Sequence, residues 1–398
     1  MLISIFCIAF LSTFKTLFFL FFPKFIGKDI PTQEDLEKFA SINDLGSQPL
    51  WTILIPLYNE SIDDLKALRK NIFASKYTNF EVIYLCEEID LITNYYLKNY
   101  ATNSNEKILI IPRRPPFTKP KACNYGLEIA RGEYIVIYDV EDIPHPYQLH
   151  CASYYFQNFN YDCIQFPLEF IYDGSMLSGF QVIDYVLWYK SMLPILQNLN
   201  APIPLGGTSN HFRAKNLRES GGWDSFNVTE DAELGMRMNL QGLTVRYVEN
   251  YETKERTLPN ITNLMNQRVR WSKGHFLTFL QVFPKFLVKS PFNAIFVFLA
   301  LASSPVTCIG YITVTIGLNF LDYNSHDQRI IAVLFIWGIV LFFLYPFIIF
   351  VKFPQLRKKE ILPSVLFYNI YMIFYILPII KSLIECVFRP SVWYKTMR

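Results

Sequence analysis

Residues 134–144 read YIVIYDVEDIP. Tyr134 to Ile137 favour extended chain and form a continuous apolar run of the kind buried on both faces of a parallel sheet; the run turns into Asp139, Glu141 and Asp142 at its C-terminal end. Carboxylates are thereby delivered to a strand tip. Alternation along an extended chain puts Asp139 and Glu141 on one side, where they can share a hard divalent cation, with Asp142 facing the other way unless the loop bends. An acidic loop that merely closes a strand is the plainer reading of this segment taken alone.

Working outward, strands and helices alternate. Residues 51–57 predict a strand ending in PLYNE, 63–75 a helix, 80–86 a strand running into Glu87, Glu88 and Asp90, and 91–101 a helix. Residues 107–112 predict a third strand and 121–130 the helix before the central strand. This order specifies a parallel α/β sheet, in which ligands sit beyond the C-terminal strand ends. Three of those ends carry polar groups: Tyr58-Asn59-Glu60, Glu88-Ile89-Asp90 and Asp139-Val140-Glu141. Between the third strand and the central one, PRRPPFTKPKACNYGL sets Arg113, Arg114, Lys119 and Lys121 beside the acidic tips, where a diphosphate and its metal can be shared. A proline-stiffened basic loop is the alternative there.

Downstream, 163–170 reads as a strand carrying Gln165 and Glu169, and 176–199 as a hydrophobic helix. Residues 204–213, PLGGTSNHFR, follow; Gly206-Gly207 permits close backbone approach to a ligand, and Asn210 and His211 are polar enough to contact hydroxyls. His211 taken alone reads as structural. Thr229-Glu230-Asp231 precedes a helix over 232–240, so Thr229 or Glu230 can cap it, while Asp231 has the chemistry of a general base. Residues 264–283 contain NQRVRWSKGHFLTFL, a helix with Arg268, Arg270 and Lys273 on a charged side and an apolar opposite side, suited to a membrane interface with Trp271 in its aromatic belt.

The chain has 398 residues, 52% of them apolar, with 36 Phe and 25 Tyr, enough for one sizeable globular domain plus hydrophobic material outside it. Apolar residues concentrate over 2–22 and from 292 onward, in runs near the roughly 20 residues that cross a bilayer. Residues 1–22 are expected to be a retained anchor and not a cleaved signal peptide, because no basic segment precedes the apolar run and no small residues follow it. Lys24 and Lys28 then place the next domain in the cytoplasm, and 31–42 forms a short surface helix within a linker over 23–48. Further crossings are expected at 292–321, 330–351 and 361–380, joined by an acidic loop and then a basic one. A net charge of +3 argues against nucleic acid as a partner. The seven Cys show no CxxC or paired spacing, so neither a zinc site nor a disulfide framework is indicated, and Cys86 and Cys123 suit a reducing compartment.

PLYNE, the acids after the second strand, DVED, TED at 229–231 and QRVRW at 267–271 together resemble the membrane-embedded family 2 glycosyltransferases, which include cellulose, chitin and hyaluronan synthases. DVEDIP, GGTSNHFR and the C-terminal RPSVWYKT are closer in style to a bacterial β-glycan synthase branch. The resemblance implies a GT-A domain over 49–258, an interfacial segment over 259–290 and membrane helices over 291–398, in the inner cell membrane with the catalytic domain cytoplasmic. It implies inverting transfer from a nucleotide sugar, UDP-linked by preference, with Mg2+ or Mn2+, to a growing β-linked glycan. Export through the membrane with accessory subunits, or single transfer to a lipid acceptor, would follow from the same chemistry; a catalytically silent membrane scaffold of the same fold is the alternative from another class, against which Asp231, Asp139 and Arg270 argue.

Residue by residue, the resemblance puts the base at Asp231, with Glu230 beside it, and the metal at Asp139 and Glu141, with Asp142 adjoining. A carboxylate with a pKa of about 4 is a weak base, and partial desolvation is expected to raise it. Pro56, Tyr58, Glu60, Glu88 and Asp90 match positions around the nucleobase and ribose, with Asp139 also on the nucleotide and Lys121 on the diphosphate. Asn210, His211, Gln267, Arg270 and Trp271 match the acceptor and leaving-group side. The second strand departs from the pattern: EEID stands where many relatives have adjacent Asp residues, leaving Glu88 and Asp90 as rivals for one contact.

Overall fold

β1 (Trp51–Leu57), β2 (Phe80–Glu87), β3 (Glu106–Ile111) and β4 (Tyr134–Ile137) lie parallel in the order β3-β2-β1-β4. Beyond β4 come β7 (Asn210–Arg213), antiparallel to it, then β5 (Cys163–Gln165) and β8 (Val245–Tyr247). The structure is a computed structural model that describes residues 31–42, 48–100, 103–306, 333, 340 and 343–389. The chain steps outward from β1 to β2 and β3, then returns to the other side of β1 for β4. That reversal opens a crevice at the C-terminal ends of β1 and β4, the position where open α/β sheets hold ligands.

Strand parity fixes what each face covers. Ile53, Ile55, Val82, Tyr84, Val136 and Tyr138 share one core with Leu65, Leu68 and Ile72 of the helix Ile62–Ile72 and with Cys151 and Tyr155 of the helix Gln148–Asn158. Leu54, Ile83, Leu85, Ile135 and Ile137 share another with Ala122, Cys123 and Leu127 of the helix Lys119–Ile129 and with Leu234 and Met238 of the helix Glu230–Leu240. Each buried aliphatic side chain contributes about 1.5–3 kcal/mol, so the sheet is a rigid base for its loops. Ser61 caps the helix Ile62–Ile72 by accepting the N–H of Asp64 at 3.1 Å.

Two expectations change here. The strand expected over 163–170 divides at Phe166-Pro167: β5 stays in the main sheet, while β6 (Leu168–Ile171) pairs in parallel with β9 (Thr253–Arg256). Pro167 has no N–H for a ladder, which makes a natural break. The helix expected over 176–199 runs as Met176–Leu187, a π-helical turn at Trp188–Met192 and Leu193–Asn198. Pro194 lacks the N–H that a regular ladder would require there.

The described residues form two units. The first contains the sheet, from the described residues up to Ile171 together with Leu196–Arg256. The second takes Tyr172–Ile195 and the described residues from Thr257 onward, and is helical: Met176–Leu187, Ile261–Lys289, Pro291–Leu301, Phe343–Lys352, Tyr368–Phe374 and Ile376–Phe388. Among the described residues, Tyr368–Phe388 is the segment long and apolar enough to cross a membrane. Its Ile373, Leu377, Ile384, Val387 and Phe388 are exposed. It lies later than the 361–380 expected from sequence, because Leu362–Leu366 forms a separate short helix ending at Phe367. The anchor expected over 1–22 and half of each of the spans expected over 292–321 and 330–351 lie outside the described residues.

Candidate active site

The tip of β4 is the centre of the sheet unit's polar loops. Asp139 continues the parity of Ile135 and Ile137, which aims it to the face covered by the helix Lys119–Ile129. That helix starts at Lys119 and not at 121, since Pro120 in the first turn forfeits no intrahelical bond. Lys119 Nζ donates to Asp139 Oδ1 and, at 2.6 Å, to the carbonyl oxygen of Gly207. Burial alone would lower the Lys119 pKa; the carboxylates of Asp139 and Glu230 outweigh it and hold the ammonium above the ordinary lysine range.

Lys121, two residues on, points elsewhere. It pairs with buried Glu87 at 2.9 Å, donates to the carbonyls of Arg114 at 3.2 Å and Pro112 at 3.4 Å, and lies 5.3 Å from the Phe117 ring centre. It pins the basic loop to the end of β2. Of the two lysines that the sequence sets beside the acidic tips, Lys119 stands there, and Lys121, which the resemblance puts on the diphosphate, pairs with Glu87.

The acidic loop bends. The Asp142 N–H donates to the Asp139 carbonyl at 3.1 Å, and Asp142 Oδ2 accepts the Asp139 N–H at 2.7 Å and the Thr208 hydroxyl. Asp142 is fully buried, and its Oδ1 has no hydrogen-bond partner among the described residues. Burial first, then Glu255, Asp139 and Glu141, push its carboxyl well above the usual carboxylate range. Asp142, expected to adjoin a metal, is buried with Oδ2 turned to the protein, where it shapes the loop that carries Asp139 and Glu141, both half-buried.

The Gly206-Gly207 segment is held from behind. Asn210 Nδ2 donates to the Gly206 carbonyl at 2.5 Å, and Gln165 Oε1 accepts the Gly206 N–H at 2.7 Å. A Cβ added at Gly207 would lie 3.3 Å from Asp231 Oδ2, so this backbone runs against the Asp231 carboxylate. Gly235 makes that approach geometrically feasible: a Cβ there would meet the Ile203 carbonyl at 2.4 Å. Asn210 and His211 do not reach out to an acceptor. Asn210 is buried behind the glycine loop, and His211 sits in the core with ring centres of Phe166 and Trp51 at 4.9 and 5.4 Å and the Tyr138 hydroxyl 3.4 Å from Nε2. Burial pushes the His211 pKa down to about 3, so it is neutral. The physical reason is β7, which is an interior strand between β4 and β5 and turns both faces into packed layers.

Glu230 is buried and Asp231 half-buried in the first turn of the helix Glu230–Leu240. The Thr229 side chain makes no capping bond; its N–H donates to Asn227 Oδ1 at 2.9 Å. Asp231 Oδ1 accepts the Ala232 N–H at 2.7 Å, and the positive end of the helix favours the ionised carboxylate. At the end of β1, half-buried Pro56 leads to exposed Tyr58 and to Asn59 at φ 54°. The Asn59 N–H donates to Asp90 Oδ2, whose Oδ1 accepts the Thr93 N–H at 3.1 Å; the Glu60 N–H donates to Thr93 Oγ1 at 3.3 Å. Asp90 thus begins the helix Leu91–Tyr100 and ties the β1 loop to it. Exposed Glu88 accepts the Arg113 N–H at 3.1 Å.

In the helical unit, Gln267 is buried and Arg270 and Trp271 half-buried on the helix Ile261–Lys289. The expected charged side of that helix is corrected: Arg268 and Lys273 turn inward, to Asp184 at 2.6 Å and to Glu385 at 3.1 Å. A lone Asp within the apolar run of Met176–Leu187 was the available sequence signal for the first pair. Among the described residues no three His, Cys, Asp or Glu are grouped to hold a metal on their own.

Comparison with known proteins agrees with this layout. The chain is 23% identical over 227 residues to the poly-beta-1,6-N-acetyl-D-glucosamine synthase of Staphylococcus aureus, covering 56% of this chain and 54% of that one. It is 24% identical over 251 residues to the probable glucomannan 4-beta-mannosyltransferase 7 of Oryza sativa subsp. japonica, covering 58% and 41%. The chain spans about half the length of the curated relatives it matches. The mannosyltransferase PcManGT from Pyrobaculum calidifontis, solved with GDP-Man and Mn2+, superposes with a TM-score of 0.61 at 15% identity over 96% of both chains, which shows a shared GT-A-like fold. The profile described as Glycosyl transferase family 2 matches residues 52–212. Because the profile described as Glycosyl transferase family group 2 matches residues 134–350, more than half of the chain, the protein belongs to that family and is a glycosyltransferase.

Proposed function

We propose that the enzyme moves a sugar, with inversion, from a nucleoside diphosphate donor to a hydroxyl of a β-linked glycan at a membrane. The observation that carries this is the meeting of Lys119, Asp139, the Gly206-Gly207 backbone and the Asp231 carboxylate at the sheet's switch point. Tyr58, Glu60 and Glu88, at the tips of β1 and β2, would line the base and ribose, with Pro56 and Asp90 fixing the loop that presents them. Lys119 would balance the charge of the diphosphate. Asp231 would take the proton of the attacking hydroxyl, with Glu230 beside it setting the local charge. Gln267, Arg270 and Trp271 would hold the acceptor end, Trp271 offering a flat face to a sugar ring.

The donor set at the β4 tip fits a hard divalent cation: Asp139 and Glu141 offer carboxylate oxygens, and phosphate oxygens and water suit the remaining positions. Mg2+ or Mn2+ bound there would supply positive charge to the departing diphosphate. The names of the curated relatives support a β-glycan product, and those of the relatives and the structural neighbour support N-acetylglucosamine or mannose as the sugar. The exposed apolar segment Tyr368–Phe388 supports a membrane location. Repeated addition with export, or single transfer to a lipid acceptor, both accord with that location.

Membranes carrying the enzyme, given UDP- and GDP-linked sugars in turn, are expected to release nucleotide in a metal-dependent way. Asp231→Asn should slow that release by roughly 10²–10⁴-fold, the usual loss for an acid–base group. Undiminished turnover in Asp231→Asn would remove it as the base. The length of the product separates a polymer from a single addition.

A further inference from the structure

Arg268 stands inside QRVRW at a position to which the chemistry above gives no task, yet it is among the largest fully buried side chains described. Its Nη2 donates to Asp184 Oδ2 at 2.6 Å, its Nη1 to Gln267 Oε1 at 3.3 Å and its Nε to the Tyr371 hydroxyl at 3.4 Å. Its guanidinium carbon lies 4.3 Å from the Trp271 ring centre. Asp184 in turn accepts the Tyr368 hydroxyl at 2.6 Å on Oδ1 and the Tyr371 hydroxyl at 2.7 Å on Oδ2. Three helices of the helical unit, Met176–Leu187, Ile261–Lys289 and Tyr368–Phe374, therefore meet on one ion pair, and that pair touches both Gln267 and Trp271.

As glue, such a cluster is a poor choice. Desolvating two charges offsets most of their attraction, and well-packed apolar residues of similar volume hold buried surfaces as well or better. What an ion pair has and a leucine lacks is direction: a planar guanidinium tied to a carboxylate fixes its own orientation. Residues three apart on a helix share a face, so Arg268 lies under Trp271 and a guanidinium over a ring face resists tilting of the indole. Phe180, stacked on Tyr371 with ring centres 4.9 Å apart, steadies the far side.

We propose that Asp184 and Arg268 are positioning residues that hold the Trp271 indole, and with it Gln267, in the orientation needed to receive the sugar of an acceptor glycan. This rests on the reading of Trp271 as the acceptor platform. The pair does not touch substrate; it acts through the ring.

The full chain in detergent would be compared with Asp184→Leu/Arg268→Met, Arg268→Lys, Trp271→Phe and Trp271→Ala. The acceptor probes are β-linked tetrasaccharides of N-acetylglucosamine and of mannose. The double apolar variant should fold with a lowered thermal midpoint, because the exchange of the pair itself is close to neutral but the Tyr368 and Tyr371 hydroxyls lose their acceptor, and should lose most of the near-ultraviolet circular dichroism band that Trp271→Phe identifies. Its KM for the tetrasaccharide should rise about tenfold while hydrolysis of the donor without acceptor stays within about twofold. A folded double variant with the Trp271 band and acceptor KM of the wild type overturns the proposal. If Trp271→Ala leaves the acceptor KM unchanged, the platform reading fails instead, and the band still reports whether the pair orients the ring. Should the double variant not fold, Arg268→Lys, which keeps the charge and loses the fork, is expected to fold and weaken the band; an unaltered band there also overturns the proposal.

Discussion

Two ion pairs, one in each unit, are built to opposite ends. In the sheet unit, Lys119 and Asp139 keep 18% and 30% of their side chains exposed and stand among loops at strand tips. In the helical unit, Arg268 and Asp184 keep 1% and 17%, and two phenols, an amide and an indole surround them. Both would pass for structural ion pairs by distance alone. The difference is in the surroundings: a charge pair open on one side can exchange a partner for a charged ligand, while one enclosed by other helices can only fix shape. The Lys121–Glu87 pair, enclosed within the sheet unit itself, makes the same point two residues from Lys119.

The contrast can be broken by substitution. Lys121→Met is expected to have the largest effect on stability, about 3–5 kcal/mol by chemical denaturation, because it leaves Glu87 buried without its partner. Protein that does fold should turn over donor at a near-normal rate. Lys119→Met should do the reverse, folding normally and slowing nucleotide release by about 10²–10³-fold, with Lys119→Arg recovering part of the loss. If turnover were to follow Lys121 and stability Lys119, the assignment of open and enclosed pairs would be inverted.

A smaller effect concerns the core beneath. The His211 pKa lies near 3 in the fold against 6.5 in the unfolded chain, so the unfolded state takes up the proton first as pH falls. Its contribution to stability is therefore complete above pH 6.5 and is lost as pH drops toward 3. At pH 5 the loss should be about 2 kcal/mol, and His211→Phe should flatten that part of the pH–stability curve. His150, pushed down to about 4 by burial, adds a slope of the same sign, which the His211 variant should retain.

Much of the sheet could be read from sequence because its parallel strands are buried on both faces and read as unbroken apolar runs, with acids and turns marking their ends. Asp139 was legible for the same reason, since parity follows from the strand. The choice between Lys119 and Lys121 was not, because it depended on where a helix begins, and Pro120 allows that helix to start two residues earlier than the apolar pattern suggests. His211 taken alone was legible as structural, whereas the outward role that the resemblance gave Asn210 and His211 had no local check, because only pairing with strands some fifty to seventy-five residues away buries that stretch. Arg268 and Lys273 were hidden by the same limit: nothing near them in the chain announces Asp184 or Glu385 as partners.

The strand order also has a consequence for synthesis. β1 to β4 are complete once residue 137 is made, but β5 takes a place whose neighbours are β7 and β8, so the sheet cannot finish before Tyr247 appears. Met176–Leu187 is translated in that interval, and its partners from Ile261 onward come later still. An apolar helix is thus made while the sheet is still incomplete, so the order of synthesis itself leaves hydrophobic surface transiently exposed to aggregation.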